Sequence, residues 1–393
     1  MSSPLENISP LQVGERLRVA REVAKFKQAQ AAEAIGIART TLVAIEQGQR
    51  RIKIDELRAL AKVYGTTVNG LLRQEAVHAD LMPRFRKLGS SYPDAVEQAA
   101  SLLNDLARAE VELENLLGVQ RTRNYPQERP ILPGDVRFQA EQDAAEVRQH
   151  LGVGGAPIHD IASLLELQLG VRVFVRKLQA EISGLFAFDE STGACILLNA
   201  NHRRSRRNLT ASHELGHLVT RQPAEVLDRR TSEDSREERY AHAFSRSFMM
   251  PARTLKEQFK EITAGSKNLS RRHVILLANT FGVSREALVR RLEELRLVRQ
   301  GAWDWFDQNG GITDEQEREV LGDRQAPDAR KEEAKEPTTL RLTLLASAAW
   351  KQGLLSEGQL MRLLKIDRVE LRRLLQESDA EGSDGDDAPE LLA

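Results

Sequence analysis

The spacing of apolar residues predicts a chain built mainly from helices, beginning with several short ones near the N-terminus. Apolar positions recur at helical spacing in four segments, which are Leu11–Lys25, Gln28–Ile35, Arg39–Gln47 and Ile54–Tyr64. Gly36 and Ile37 form a tight turn between the second and third segments. Because a short helix, a glycine-containing turn and a second helix constitute a helix-turn-helix unit, we predict a DNA-binding domain over residues 1–75.

This unit also resembles a known family in sequence. The residues that carry the resemblance are Gln28-x-x-x-Ala32-x-x-x-Gly36-Ile37, followed by Thr41-Leu42-x-x-Ile45-Glu46-x-Gly48. They resemble the XRE-type helix-turn-helix of phage and bacterial repressors. The resemblance implies a five-helix, lambda-repressor-like domain.

The next apolar pattern is a heptad seam within residues 76–134, between a basic connector and a proline-containing linker. Its positions alternate spacings of four and three: Ala95, Ala99, Leu102, Leu106, Ala109, Leu113 and Leu116. Two interpretations stay open. The seam packs on the chain's own core, or it forms the interface of a dimer.

Residues 135–300 mix helical and strand periodicity, which predicts an α+β domain. Helices are expected near Gln139–Leu151 and Ile158–Leu169, and strands at Val171–Val175, Gly184–Phe188 and Cys195–Asn199. The charged segment from Pro223 to Glu237 is expected to be a loop. Further helices are expected at Glu238–Met250 and, as a pair, within Arg271–Val298.

The C-terminal part is expected to be a charged linker over 301–339, a small helical segment over 340–376 and a disordered acidic tail over 377–393. The tail carries seven acidic residues and no basic one, which is typical of solvated, unfolded chain. No internal repeat stands out. The fold class is therefore multidomain and mainly α, with one α+β domain.

Composition and charge narrow the expected binding partners and the expected cellular compartment. The chain has 393 residues and a net charge of −1, but residues 11–75 carry twelve Lys/Arg against seven Asp/Glu, so nucleic-acid binding is expected at that end only. Cys195 is the single cysteine, which excludes an internal disulfide and fits a reducing cytosol. Because no apolar run approaches the ~20 residues that span a bilayer, we expect a cytoplasmic protein with no membrane partner.

The strongest chemical signal is His213-Glu214-Leu215-Gly216-His217. On a helix, two imidazoles four residues apart lie on one face, with a carboxylate beside the first. A catalytic zinc site requires this arrangement of two nitrogen ligands and a nearby base. The alternative is a helix that carries two surface histidines.

A catalytic zinc takes three protein ligands, so a third donor is needed. Glu238 lies on the same helical face as Ala241, Phe244 and Phe248, where a carboxylate requires a partner such as a metal. Glu237 and His242 are the alternatives that the ligand chemistry leaves open.

The same region resembles the ImmA/IrrE family of metallopeptidases from about Val136 to Val298. The matching residues are Arg207-x-x-Thr210-x-x-His213-Glu214-x-Gly216-His217, Glu238-x-x-Ala241-His242-x-Phe244 and Met249-Met250-Pro251. The resemblance implies a zincin-like fold, with His213, His217 and Glu238 as the metal ligands. This sequence departs from the family's usual residues at Ser245, Phe248 and Met249, none of which is an expected catalytic residue or metal ligand.

The chemistry of this residue set predicts a hydrolytic mechanism. Zn²⁺ would lower the pKa of its bound water, Glu214 would accept the proton, and a peptide carbonyl would be attacked. Mn²⁺ is an alternative metal. His202 and Tyr240 are secondary candidates for stabilising the oxyanion, with structural roles favoured for both.

In the helix-turn-helix unit, the recognition helix is expected to begin at Arg39. Arg39, Thr40 and Thr41, with Val43 or Ala44, are the candidates for contacts with base edges. Phosphate contacts are expected from Gln28 and from the three consecutive residues Gln49, Arg50 and Arg51. Because one such unit binds weakly, we expect a homodimer on a double-stranded operator.

Together these signals predict a transcriptional regulator of stress, prophage or defence genes that carries a zinc endopeptidase. In the family, a separate peptidase cleaves a separate XRE-type repressor. We therefore expect the protein substrate to be the chain itself, cut in the connector Val77–Tyr92, or an XRE-type repressor. One alternative is a transcription factor whose peptidase-like domain senses a peptide or small ligand without turnover, and another is an interaction scaffold.

Overall fold

The computed structural model describes residues 10–64, 68, 94–221, 224–228, 235–322 and 339–380. They fall into two compact units. The terminal unit takes the described residues of Met1–His78, Arg108–Arg121 and Arg341–Ala393, and the central unit those of Ala79–Ala107 and Thr122–Leu340. The expected fifth N-terminal helix, the connector Val77–Tyr92 and most of the acidic tail lie outside the described residues.

The terminal unit begins with the four predicted helices. They are α1 (Pro10–Val23), α2 (Gln28–Ala34), α3 (Arg39–Glu46) and α4 (Ile54–Val63). Leu17, Leu42 and Leu57 are fully buried at their centre. Helix α1 lies very close to α3 at Gly14: a Cβ atom there would lie 2.4 Å from the carbonyl oxygen of Ile45. The helical prediction for this region is confirmed.

A buried ion pair fixes the end of α3. Arg21 donates to both carboxylate oxygens of Glu46, at 2.7 and 3.2 Å, and Gln28 donates to the same carboxylate at 2.9 Å. Glu46 therefore joins the C-terminal end of α3 to α1 and to the start of α2.

The heptad seam lies on one long helix, α5 (Asp94–Leu117). Ala99, Leu106, Ala109, Leu113 and Leu116 are buried within the single chain. Near its end, the buried carboxylates of Glu110 and Glu114 pair with Arg121, and Arg341 donates to Glu114 at 3.0 Å. Burial within one chain favours the first interpretation of the seam, packing in the chain's own core.

The central unit is built around a four-stranded sheet. Its strands are β1 (Arg172–Arg176), β2 (Ile182–Asp189), β3 (Gly193–Asn199) and β4 (Ala224–Asp228), in the spatial order β1-β3-β2-β4. Strand β1 runs parallel to β3, and β2 runs antiparallel to β3 and β4. The expected loop after Pro223 is thus wrong in part, because main-chain pairing with β2 makes residues 224–228 an edge strand.

Helices cover this sheet and build its core. Before the sheet come α6 (Val136–His150) and α7 (Ile161–Leu167), and after it come α8 (Arg204–Val219), α9 (Arg236–Met249), α10 (Ala252–Ile262), α11 (Arg271–Phe281) and α12 (Arg285–Glu294). Helix α8 packs on β2 and β3, and α9 packs between α8 and α6. Among the described residues, no helix is long and apolar enough to cross a membrane.

The expected linker over 301–339 begins with two helices instead, α13 (Ala302–Gln308) and α14 (Asp314–Leu321). Phe306 and Ile312 are buried in the core of the central unit, and a capping box at Thr313 starts α14. The linker prediction missed these two buried residues, which precede the charged stretch that begins at Asp314. Residues 323–338 lie outside the described part of the chain.

The C-terminal segment is helical, as predicted, and it consists of three helices, the last of which extends four residues into the stretch expected to be a disordered tail. They are α15 (Leu340–Lys351), α16 (Glu357–Leu364) and α17 (Arg368–Ala380). Within the terminal unit, Arg58 of α4 donates to the carbonyl oxygen of Gln352 at 2.5 Å.

An ion-pair cluster joins α14 to the start of α8. Asp314 accepts hydrogen bonds from Arg203 at 2.8 and 2.6 Å and from Arg285 at 2.7 Å. The hydrogen bond from Arg203 is the largest influence on the pKa of Asp314, which is lowered to about 2 although burial opposes the shift.

Asp314→Asn is expected to destabilise the chain by about 1–2 kcal/mol near pH 7 and by about half as much near pH 3. A carboxyl group whose pKa is lower in the folded chain stabilises it above the unfolded pKa. That stabilisation is lost as the pH falls through the folded value. Urea unfolding at both pH values measures the change, with exposed Asp307→Asn as the matched control. An equal loss at both pH values would contradict the prediction.

Candidate metal centre and DNA-binding surface

Helix α8 places the two motif histidines side by side. His213 and His217 are separated by about one helical turn, and their Nε2 atoms lie 3.0 Å apart. Both side chains are buried, with exposures of 2% and 1%. The alternative of two surface histidines is therefore inconsistent with the structure.

Helix α9 brings a carboxylate to the same point. Glu238 lies in its first turn, where the Ser235 hydroxyl accepts a hydrogen bond from the Glu238 backbone N–H. The two carboxylate oxygens of Glu238 lie 3.3 Å from the Nε2 atoms of His213 and His217. The helices approach closely because residue 216 is glycine: a Cβ atom there would lie 3.2 Å from the Cα of Ala241.

The two alternative third ligands occupy different places. Glu237 is exposed on the surface of α9. His242 lies beside the site, with its Nε2 atom 3.9 Å from Glu238 Oε2 and its ring centroid 4.5 Å from that of His213. Among the described residues, His213, His217 and Glu238 form the group of three side chains that lie close enough together to hold a metal ion.

The electrostatics of this group suit a divalent cation. Burial lowers the pKa of His213 to about 3, so its imidazole is neutral near pH 7 and its nitrogen lone pair is available. Burial by itself would raise the pKa of Glu238, but His213 and His217 outweigh it and lower that pKa. The site therefore holds a buried carboxylate anion beside neutral imidazole.

The spacing of the donors also fits. Ligands about 2.0–2.2 Å from a tetrahedral zinc ion lie roughly 3.3–3.6 Å from one another. The separations of 3.0 and 3.3 Å between the donor atoms are close to that range. The three side chains present thus fit a metal of the zinc type.

Glu214 lies on the same helix and is completely buried. Strand β2 passes directly against it at Gly184, where a Cβ atom would lie 3.1 Å from Glu214 Oε1 and 2.6 Å from Thr210 Cγ2. Only a glycine leaves this space between the strand and the carboxylate. The sequence analysis placed Gly184 in a strand but did not predict that it lies beside Glu214, because this contact arises from tertiary packing.

Two further contacts hold α9 in place, and the sequence did not reveal them. Tyr240 donates a hydrogen bond to Asp143 of α6 at 2.8 Å, which leaves its hydroxyl in a structural role. Arg148 of α6 is buried and donates to three carbonyl oxygens, those of Gly154 at 2.6 Å, Phe248 at 2.5 Å and Ala156. His202 has its Nε2 atom 3.4 Å from the carbonyl oxygen of Ala180.

In the terminal unit, the start of α3 presents the expected base-reading face. Arg39 and Thr40 are exposed, Thr41 and Ala44 are half-buried, and Leu42 and Ile45 form the core. The candidate base-reading residues therefore lie outside the core of the domain.

The expected phosphate contacts differ in their surroundings. Gln49 is exposed. The Gln28 amide donates to Glu46, and the Arg50 guanidinium donates to both carboxylate oxygens of Glu56 at 3.1 and 2.9 Å. Gln28 and Arg50 are thus oriented by carboxylates of their own domain.

Comparison with known proteins gives two matches, each covering one of these regions. Residues 12–75 match a helix-turn-helix domain, and residues 167–293 match an IrrE N-terminal-like domain. The chain joins an XRE-like helix-turn-helix domain to an IrrE-like domain. The predicted fusion is confirmed. No curated protein matches the chain.

The IrrE-like domain contains the whole candidate metal group, and the helix-turn-helix domain contains all of the expected DNA contacts. These two domains support a DNA-binding regulator with a metallopeptidase-like domain.

Proposed function

We propose that the chain is a transcriptional regulator whose IrrE-like domain is a zinc-dependent endopeptidase. The observation that supports it is the convergence of His213, His217 and Glu238 within 3.3 Å, with buried Glu214 on the same helix. Two imidazoles and one carboxylate are the protein ligands of many hydrolytic zinc sites.

Each residue has a proposed role. His213, His217 and Glu238 hold the metal, which, when bound, supplies Lewis-acid chemistry for peptide hydrolysis. Glu214 accepts a proton at its carboxylate as water adds to the carbonyl carbon of the scissile bond. It then returns that proton to the departing amine nitrogen, so water is consumed and a carboxylic acid and an amine are formed.

The proposed metal is zinc, with manganese as the alternative. Imidazole ligands suit zinc, whereas manganese prefers sites richer in oxygen donors. Two of the three donor side chains here are imidazoles.

The proposed substrate is a repressor protein. A DNA-binding domain in the same chain makes the chain itself one candidate, with Val77–Tyr92 as the region cut, and an XRE-type repressor the other. Cleavage between a DNA-binding domain and the rest of its chain would release the operator. A homodimer on double-stranded DNA belongs to the same proposal.

Purified full-length chain, incubated with Zn²⁺ or Mn²⁺, is expected to yield defined fragments that mass spectrometry maps. Glu214→Gln should slow their appearance by at least about 100-fold, because general-base catalysis contributes about 10²–10⁴. Glu237→Gln, a substitution of an exposed carboxylate on α9, is the matched control and should cleave normally.

Elemental analysis of the same samples separates the outcomes. Identical fragments from the Glu214→Gln chain would contradict the proposed catalytic role. A metal-loaded wild-type chain that cuts neither itself nor an added XRE-type repressor would favour the sensor without turnover.

A further inference from the structure

The three C-terminal helices are spaced along the chain like the first three helices. Helix α2 begins at Gln28 and α16 at Glu357, while α3 begins at Arg39 and α17 at Arg368. Both pairs of helix starts are therefore separated by the same 329 positions. Each pair follows another helix, α1 or α15.

The hydrogen bonds at the first of these helix starts repeat as well. The backbone N–H of Lys27 donates to Gln30 Oε1 at 3.0 Å, and that of Ser356 donates to Gln359 Oε1 at 2.9 Å. Both pairs of residues are related by the same 329 positions as the helices. A side chain at the third helical position therefore caps both helices in the same way.

The turn between the two helices shares two backbone features in both copies. Gly36 and its counterpart Lys365 have positive φ angles of 70° and 54°. The next residue then donates back to the preceding helix, from Ile37 to Ala32 at 3.0 Å and from Ile366 to Met361 at 3.2 Å. Lys365 adopts this left-handed conformation, which is uncommon for a residue other than glycine, as the C-cap of α16.

The apolar cores of the two copies correspond position by position. Ala31, Leu42 and Ile45 are buried in the first copy, and Leu360, Leu371 and Leu374 are buried at the matching places in the second. This correspondence does not stand out in the sequence. Few residues are identical, and the size of the core side chains changes between the copies.

We propose that α16 and α17 form a second helix-turn-helix and that α17 is a second DNA-recognition helix. Its outward face carries Arg368, Arg372 and Arg373, all exposed, together with Val369, which is 78% exposed. Arginine reads guanine through paired hydrogen bonds, and an apolar side chain contacts the methyl group of thymine.

The charge of this second copy favours DNA over a protein partner. Residues 356–376 contain five Lys/Arg against three Asp/Glu, whereas the corresponding stretch 27–47 contains two of each. Glu377 and Asp379 follow only in the last turn of α17, at the end opposite Arg368. Arg372 and Arg373 occupy the positions of Val43 and Ala44 in α3. Arg368 and Arg372 lie 3.5 and 3.8 Å from Glu357, but exposed pairs of this kind are weak and leave the arginines available.

Two DNA-reading helices within one terminal unit would change how the operator is bound. A single helix-turn-helix gives weak binding, so a dimer usually supplies the second half-site. Here one chain would supply both contacts, and a homodimer would no longer be required for specificity.

The test uses the full-length chain and the duplex that the wild-type chain enriches from a random DNA library. Arg372→Ala/Arg373→Ala is expected to raise the Kd for this duplex at least tenfold and to remove protection from one flank of the footprint. The slope of log K against log salt should fall in magnitude by about 2. The matched control is Arg253→Ala/Lys256→Ala, which removes two exposed charges from α10.

Two more variants make the result decisive. Arg372→Lys/Arg373→Lys keeps the charge but loses the paired hydrogen bonds, so it should keep the salt slope and still weaken binding to the enriched duplex. Arg39→Ala should remove protection from the other flank. Circular dichroism checks that each chain is folded.

An unchanged Kd, footprint and salt slope in the Arg372→Ala/Arg373→Ala chain would overturn the inference. If Arg39→Ala still weakened binding in that case, DNA binding by α3 would stand, and the second helix-turn-helix would serve a protein contact. Failure to enrich any duplex would overturn both assignments.

Discussion

Glu238→Ala is expected to reduce bound zinc from about one ion per chain to a trace after dialysis. The two histidines belong to one helical turn, so Glu238 is the ligand that ties the metal to a second helix. Its loss should lower zinc affinity by more than about 100-fold, because even outer residues of zinc sites are worth 10–100-fold. Elemental analysis of the full-length chain measures the zinc content.

Glu237→Ala is the matched control, since it removes a neighbouring but exposed carboxylate from the same helix. Added zinc should raise the Tm of the wild-type and Glu237→Ala chains but not that of the Glu238→Ala chain, because only a bound ligand stabilises the folded state. Equal zinc in the Glu238→Ala and wild-type chains would exclude Glu238 as a ligand. The ring of His242, beside that of His213, would then be the next candidate.

The sequence allowed prediction of the three candidate ligands because their spacing follows helical geometry. His213 and His217 are four positions apart, and Glu238 shares a face with Ala241 and Phe244. Such patterns depend on local geometry, which periodicity captures directly. The order of helices and the first three strands were predictable for the same reason.

What the sequence concealed depends on contacts between distant segments. Strand β4 exists because residues 224–228 pair with β2, and five residues inside a charged segment give no sign of that pairing. Gly184 matters because β2 passes against Glu214, 30 positions away in the chain. The correspondence of α16 and α17 to α2 and α3 is visible in backbone hydrogen bonds and turn angles, whereas few of the residues are identical.

The candidate DNA-binding surface was also predictable only in part. The exposed start of α3 follows from periodicity, which assigns Leu42 and Ile45 to the core and leaves Arg39 and Thr40 outside. Periodicity does not show that Arg50 is held by Glu56. An arginine already paired within its domain must exchange one anion for another to bind a phosphate, so its net contribution to DNA affinity should be smaller than that of Arg39.

Arg148→Ala is expected to destabilise the central unit by about 3 kcal/mol, the largest stability effect of any substitution considered. Burial lowers the pKa of Arg148 to about 10, so the guanidinium is still charged near pH 7. It is only 2% exposed, and it donates to the carbonyl oxygens of Gly154, Ala156 and Phe248. Removing it leaves these acceptors without that donor and opens a cavity beside the Phe248 ring.

The effect should reach the metal group, because Phe248 lies in the last turn of α9, the helix that carries Glu238. We expect Arg148→Ala to weaken zinc binding as well as to lower the free energy of unfolding in urea. Arg148→Lys should recover little, since one ammonium group cannot reproduce the planar fork that serves three carbonyls. Arg137→Ala, at an exposed position on the same helix, is the matched control. If the free energies of unfolding of the Arg148→Ala and Arg137→Ala chains differed by less than about 0.5 kcal/mol, Arg148 would not be the residue that stabilises the packing of α9 on α6.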